Sequence, residues 1–98
     1  MTVKINNKTY EVPELEFRHL PMMEKCGLSI QELMGGDHLF TAIEVFTTIV
    51  VGCDTTEADR LLQQHILGGG TFDPLVEAFG RAIDESSFFK KMLAEETE

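Results

Sequence analysis

The chain has 98 residues, 43% of them hydrophobic, which is enough for one domain with a modest core and argues against wholesale disorder. Seventeen acidic and eight basic residues give a formal net charge of −9, which would repel a polyanion, so we expect no nucleic-acid partner. The acidity either keeps the protein soluble or forms an acidic surface for a basic partner. No apolar run approaches the roughly 18 residues that span a bilayer, so we expect a cytosolic protein with no membrane partner.

Residues 1–98 are predicted to form a single domain that begins with a β-hairpin over residues 2–12. Asn6 and Asn7 lie between its two halves, and asparagine tolerates the left-handed conformation that a tight turn needs. An isolated hairpin is marginal in water, so it must pack on helices or add its edge to another subunit. Four apolar side chains alternate along it: Val3, Ile5, Tyr10 and Val12.

Residues 15–94 are predicted to be helical, so the fold class is mainly α, with about four to five helices after the hairpin. The first helix, in the stretch ELEFRHLPMMEKCG, either begins at Pro21 or is kinked there, because proline lacks an N–H. Gly27 is a natural stop for this helix. The sequence SIQE, which begins at Ser29, fits a capping box and predicts one or two helical turns through Met34.

Residues 39–53, LFTAIEVFTTIVVGC, form the most apolar segment of the chain and carry one charge, Glu44. Apolar residues recur at the i, i+3, i+4, i+7 spacing of a helix, with further apolar positions beyond that face, which predicts a central helix buried on more than one side. A strand over residues 45–51 is the alternative, and the length of the segment favours the helix. We expect Asp37 to be the N-cap and Gly52 the stop.

A further helix is predicted from the cap at Asp54, with Glu57 three residues later. It ends at the three glycines of residues 68–70, which suit a hinge. A glycine cradle for phosphate needs a strand before it and a helix with a lysine after it, so no phosphate site is expected here.

Two helices are predicted near the C-terminus. Asp73 is a cap, and Pro74 takes the first helical position after it. A short helix then follows Ser86 or Ser87. Residues 95–98 are expected to be a frayed acidic tail.

No arrangement typical of an enzyme occurs in the sequence. His19, His38 and His65 lie on three segments and, together with Cys26 and Cys53, show neither C-x-x-C nor H-x-x-x-H spacing, so no metal site is expected. Both cysteines are expected to be free, buried thiols. No G-x-S-x-G surrounds a serine. We therefore expect a non-enzymatic protein without a cofactor.

The chain has more apolar side chains than a core of this size comfortably buries, and six of them are predicted to bind a partner. Two adjacent phenylalanines cannot face one direction on a helix, because neighbours are about 100° apart. Methionine suits surfaces that accept varied partners. The alternative is that each of these side chains fills the core. The candidates are Met22, Met23, Phe88, Phe89, Met92 and Leu93.

Two stretches of the chain resemble one protein family. The stretch ELEFRHLPMMEKCGLSIQEL resembles the early "hydrophobic-F…L…LE-x-G" helix of the tail assembly chaperones of long-tailed bacteriophages, found in phages and prophages of Gram-positive bacteria. The stretch DTTEADRLLQQHILGGGTFDPLVEAFGRAIDESSFFKKML resembles their second half. In that half, a capped helix ending in a His-hydrophobic-x-Gly-Gly run precedes a helix and an S-x-FFKK-like close. The resemblance covers about residues 15–93.

This resemblance implies a mainly helical chaperone that binds and solubilises the tape measure protein and helps the tail tube to polymerise around it. It also implies a location in the host bacterial cytoplasm and absence from the mature virion. Family members self-associate. They often have a longer form, made by ribosomal frameshifting, whose extra domain recruits the major tail tube protein. This chain would be the short form.

Other functions remain open at the level of the sequence. One is a different phage structural protein, such as a head–tail or tail connector that stays in the virion. Another is a small acidic protein-interaction module. A DNA-binding regulator would need a basic surface, which the net charge disfavours.

Overall fold

The computed structural model describes residues 1–96, with side chains as far as Ala94. Within these residues a hairpin precedes a helical region, which confirms the predicted mainly α fold with an N-terminal β-hairpin. The described residues form six helices, where four to five were predicted. The elements are β1 (Thr2–Ile5), β2 (Lys8–Glu11), α1 (His19–Lys25), α2 (Ile30–Gly35), α3 (Leu39–Val51), α4 (Thr55–Leu67), α5 (Asp73–Glu85) and α6 (Ser87–Glu96).

The β-hairpin confirms both the predicted turn and the predicted packing on helices. Asn6 and Asn7 have φ of 51° and 64°, the two positive values that a two-residue type I′ turn requires. The strands are antiparallel, with Ile5 opposite Lys8. Val3 is buried like Ile5, and strand β1 contacts α4 and α5. The helices therefore supply the apolar cover that an isolated hairpin lacks.

Helix α1 begins two residues before Pro21, so the predicted start at this proline is wrong. Pro21 is the third helical residue, where an N–H would have no partner within the helix, and its missing donor therefore costs no hydrogen bond. Gly27 ends the helix as predicted, with φ of 83°. The Leu28 N–H donates to the Met23 carbonyl at 2.9 Å, which is one of the backbone bonds of a Schellman motif, the helix end that uses a glycine with positive φ.

The central segment is helix α3, so the alternative of a strand is wrong. Two threonines inside the core satisfy their hydroxyls within the helix. Thr47 Oγ1 donates to the Ile43 carbonyl at 2.8 Å, and Thr48 Oγ1 donates to the Val45 carbonyl at 2.6 Å. These bonds allow polar residues to lie in the most apolar part of the chain without an unpaired buried group.

Gly52 ends α3 as predicted, but the expected N-cap is wrong. The residue before the first helical position is His38, in the left-handed conformation with φ of 56°, and its side chain makes no capping bond. Asp37 instead closes the preceding helix, because its N–H donates to the Glu32 carbonyl at 3.0 Å. The turn after α2 is therefore one residue longer than the sequence pattern suggested.

Helices α3, α4 and α5 surround the core. The Phe46 and Phe79 rings stack with centroids 4.9 Å apart, which joins α3 to α5. Among residues 1–96, no single helix is long and apolar enough to cross a membrane. Only α3 and α4 taken together pass that test, and the chain bends by 105° between them.

Ser86 is the N-cap of α6, which confirms one of the two starts predicted for this helix. Ser86 Oγ accepts the Phe89 N–H at 3.1 Å and donates to the Leu15 carbonyl at 2.6 Å. The helix runs to Glu96, two residues into the predicted tail of residues 95–98. The last two residues of that tail lie outside the described part of the chain.

Candidate partner-binding groove

Two of the six predicted partner-binding residues belong to the core. Met23 is 1% exposed and Phe89 is 0% exposed, so neither offers a surface to a partner, and the prediction for these two is wrong. Met22 and Phe88 are exposed. Met92 and Leu93 are half-buried on α6. In both neighbouring pairs, Met22-Met23 and Phe88-Phe89, one residue points inward and the other outward, as the 100° step between helix neighbours dictates.

Phe88 forms an aromatic patch with Phe17, a residue that the sequence did not single out. The two ring centroids are 6.0 Å apart and the rings are nearly perpendicular, at 89°. Phe17 is 64% exposed. An edge-to-face pair of this kind is favourable, yet most of the Phe17 ring still contacts solvent. The aromatic patch joins the segment before α1 to α6.

A second apolar surface lies between α3 and α5, with α2 and the turn after it completing the wall. This groove has a volume of about 180 Å³, and Asp37 is its only lining residue with a polar side chain. Small-molecule sites usually have about 300–1,000 Å³ and several convergent polar groups. Its lining residues are Leu33, Gly36, Asp37, Leu39, Ala42, Ile43, Val76, Phe79, Gly80 and Ile83.

Exposed apolar side chains continue from the groove at the start of α3. Leu39 is 45% exposed and lines the groove, and Phe40 next to it is 72% exposed. The Phe40 ring contacts the edge of Phe72, with centroids 6.1 Å apart. The prediction of a helix buried on more than one side fails at this first turn, where Leu39 and Phe40 are exposed. The helical spacing identified these residues as apolar, but it carries no information about what covers them.

The end of α4 also carries exposed apolar side chains. Ala58, Leu61 and Leu62 are buried, as the spacing predicts. Ile66 is 41% exposed, although it continues the same face, and Leu67 is exposed as well. The last turn of α4 extends past the core, and neither residue lines the groove.

Carboxylates flank the groove. Asp37 lies in its wall, and Asp73, Glu77 and Asp84 are exposed on α5. None of the ion pairs within the described residues includes any of these four side chains. The groove therefore combines an apolar lining with an acidic border.

His65 fastens the glycine turn to the hairpin. Its Nδ1 accepts the Asn6 N–H at 2.9 Å, and its Nε2 lies 2.8 Å from the Thr71 carbonyl oxygen. The Gly70 N–H donates to the His65 carbonyl at 2.9 Å, and Gly69 takes φ of 97°. The turn is held on both sides, where the sequence predicted a hinge.

Three further titratable groups, Cys26, Cys53 and His19, lie outside the groove lining. Within the described residues, no three His, Cys, Asp or Glu side chains are grouped so that they could hold a metal ion. Cys26 and Cys53 are free and half-buried instead of fully buried, and burial raises the pKa of both thiols. Burial lowers the pKa of His19, and the neighbouring Arg18 adds to this effect. The first cause of all three shifts is burial.

Two carboxyl groups, those of Glu44 on α3 and Asp59 on α4, lie close enough to interact. A hydrogen bond with Asp59, followed by burial and the negative charge of Asp59, raises the pKa of Glu44 to about 7. A protonated Glu44 can donate to Asp59, which is how two acids tolerate each other at this helix contact. The pair lies outside the groove lining.

Comparisons of this chain with protein-family models, with curated proteins and with solved structures give no match. The fold and the groove define a small helical protein with an apolar, acid-bordered surface.

Proposed function

We propose that this chain is a non-enzymatic chaperone that shields apolar helical segments of a partner protein. The observation that carries this proposal is the groove between α3 and α5, which is lined almost entirely by apolar side chains and extended by the exposed Phe40. Apolar grooves of this kind receive the apolar face of an amphipathic helix. Its small volume favours helix side chains over a drug-sized ligand.

The resemblance to tail assembly chaperones supplies the partner. The tape measure protein of a long-tailed phage is long and largely helical, and it must stay soluble until tube subunits surround it. Several copies of this chain would line the tape measure protein, each with modest affinity, because association costs offset much of the burial energy. Multivalency would give the assembly its strength, and incoming subunits of the major tail tube protein would displace the copies one at a time.

The aromatic patch of Phe17 and Phe88 is the surface that we propose for self-association between neighbouring copies. It shares no residue with the groove lining, so one copy could contact a neighbour and the tape measure protein together. The proposal places the protein in the host bacterial cytoplasm and outside the mature virion. A longer, frameshifted form would recruit the tube protein.

The direct test is co-expression of the chain with the tape measure protein from its own locus. We expect a soluble complex with wild-type protein. Leu39→Ser should reduce the co-purified tape measure protein by about fivefold or more, since losing one buried apolar anchor costs roughly 1 kcal/mol. Ile66→Ser is the matched control, because Ile66 is 41% exposed against 45% for Leu39 and lies outside the groove.

The proposal fails if the tape measure protein stays insoluble while this chain purifies alone. Mass spectrometry of purified phage particles provides a second test, since a chaperone should be missing from them. A chain present in stoichiometric amounts would instead indicate a connector or adaptor.

A further inference from the structure

The groove contains a glycine that nothing inside the chain requires. Gly80 lies in the middle of α5 and is exposed, and a Cβ built on it would meet no atom within 4 Å. Its backbone is helical, without the positive φ that favours glycine. Glycine is among the least favourable residues in a helix interior. The fold therefore carries a local cost here without an internal contact to explain it.

The space above Gly80 is suited to the close approach of another backbone. Glycine is the residue used where a backbone or a ligand must come near the chain, because it has no Cβ. Ala42 and Gly36 are the other small residues of the lining. Larger apolar side chains, among them Val76 and Ile83, lie on the same stretch of α5. This combination of small and large residues is shaped for a helix that crosses at Gly80.

The charges beside Gly80 specify the chemistry of that helix. Glu77 lies three residues before Gly80 and Asp84 four residues after it, so both share its strip of the helix surface. Arg81 is the nearest base in the sequence, and it is paired with Glu85 at 3.4 Å. The strip therefore remains acidic along its length.

We propose that the groove binds an amphipathic helix of a partner protein that has a small residue opposite Gly80 and Lys or Arg beside its apolar stripe, on the side that faces Glu77 and Asp84. This inference rests on the proposed function in so far as it takes the groove as the binding site. The acidic border makes a second copy a poorer occupant of the groove than a basic helix, because the copy has 17 acidic and 8 basic residues. A basic partner helix satisfies both the apolar lining and the acidic border.

Two synthetic helical peptides of about 18 residues, or five turns, provide the test. Both carry the same leucine stripe with a central alanine; one has Lys beside the stripe and the other has Glu. We expect the Lys peptide to bind about tenfold or more tightly in fluorescence anisotropy, and the difference to shrink at high salt. Equal binding of the two peptides would overturn the charge selection.

Three variants locate the effect. The double variant Glu77→Gln/Asp84→Asn should lose most of the preference for the Lys peptide. Glu11→Gln/Glu24→Gln, which removes the same charge outside the groove, should keep it. Gly80→Ala should melt about 3–8 °C higher than wild type, because alanine favours the helix. It should nevertheless bind the Lys peptide several-fold more weakly, and unchanged binding would refute the close crossing.

The remaining outcomes separate this inference from the proposed function. If Leu39→Ser abolishes solubilisation of the tape measure protein but the two peptides bind alike, only the inference about the partner's charge fails. If neither peptide binds, the inference fails, and the co-expression test alone decides the proposed function. If sedimentation shows a wild-type dimer that Gly80→Ala dissociates, a second copy occupies the groove and the inference is wrong.

Discussion

Ser86 Oγ donates a hydrogen bond of 2.6 Å to the carbonyl oxygen of Leu15, which joins two residues 71 positions apart. Both residues are fully buried, and the same hydroxyl accepts the Phe89 N–H. One side chain thus caps α6 and satisfies the backbone of the segment before α1. The bond ties the start of α6, which carries Phe88, to the segment before α1, which carries Phe17.

Replacing Ser86 should therefore destabilise the protein more than its neighbour. We expect Ser86→Ala to lower the free energy of unfolding by about 1–3 kcal/mol, because it removes a cap and leaves a buried carbonyl unpaired. Urea denaturation measures this change. Ser87→Ala is the control, since Ser87 is exposed, and it should stay within about 0.5 kcal/mol of wild type. Equal effects of the two substitutions would contradict the assigned role of the Ser86 hydroxyl.

The contact between Gly70 and His65 predicts a second loss of stability. A Cβ at Gly70 would lie 2.5 Å from His65 Nε2, and hydrogen bonds to both ring nitrogens hold that ring in place. We expect Gly70→Ala to cost about 1–3 kcal/mol of unfolding free energy, as overpacking usually does. In a His65→Ala background the same substitution should cost much less, because the ring is absent. A double-mutant cycle with no coupling between the two positions would refute this.

The adjacent phenylalanines should differ strongly in their contribution to stability. Phe89 is fully buried, so Phe89→Ala should cost about 3–5 kcal/mol. Phe88 has 36% of its surface exposed, and Phe88→Ala should cost about 1 kcal/mol. Thermal and urea denaturation of the two variants measure the difference. Similar losses at both positions would mean that Phe88 contributes more to the core than its exposure indicates.

Self-association should depend on the aromatic patch. Phe17→Ser removes the more exposed ring of the pair and should leave the stability within about 1 kcal/mol of wild type. It should reduce the proportion of oligomers in sedimentation velocity, because the patch is the proposed contact between copies. Met34→Ser is the control, since Met34 is 52% exposed and lies outside the patch. If both variants sediment like wild type, copies associate through another surface or not at all.

The Glu44–Asp59 pair should make stability depend on pH. The pKa of Glu44 is raised from 4.5 to about 7, so the native state binds more protons than the unfolded state between these values. The contribution of protonated Glu44 to the free energy of unfolding is complete below pH 4.5, and it is lost as the pH rises through 7. Glu44→Gln should therefore be more stable than wild type at pH 8 by about 1 kcal/mol, and the difference should shrink toward pH 5.

Burial of His19 acts in the opposite direction, since its lowered pKa makes the protein less stable as the pH falls below 6.5. Its contribution is common to wild type and Glu44→Gln, so it cancels in their difference. Glu24→Gln serves as the control, because Glu24 is exposed. A difference between wild type and Glu44→Gln that does not vary from pH 5 to 8 would contradict the raised pKa of Glu44.

The sequence by itself determined the local elements. The Asn6-Asn7 turn, the capping box at Ser29, the cap at Asp54 and the stop at Gly52 were all predicted correctly. Each depends on hydrogen bonds between residues a few positions apart, so the neighbouring side chains contain the information. The errors at Pro21, Asp37 and Asp73 amount to one or two residues at helix ends; Asp73 is the first residue of α5, and Phe72 before it is the N-cap.

Only the tertiary structure decided which apolar residues are covered. Helical spacing identifies Met22 and Met23, or Phe88 and Phe89, as apolar neighbours, but the choice between core and surface depends on segments far away in the chain. Ser86 bonds to the Leu15 carbonyl, far away in the chain, and caps the helix turn in which Phe89 is buried. Leu39 of α3 and Gly80 of α5 line the same groove, although they lie far apart in the chain. Burial is a property of all the elements packed around a residue, and a pattern read along one element cannot contain it.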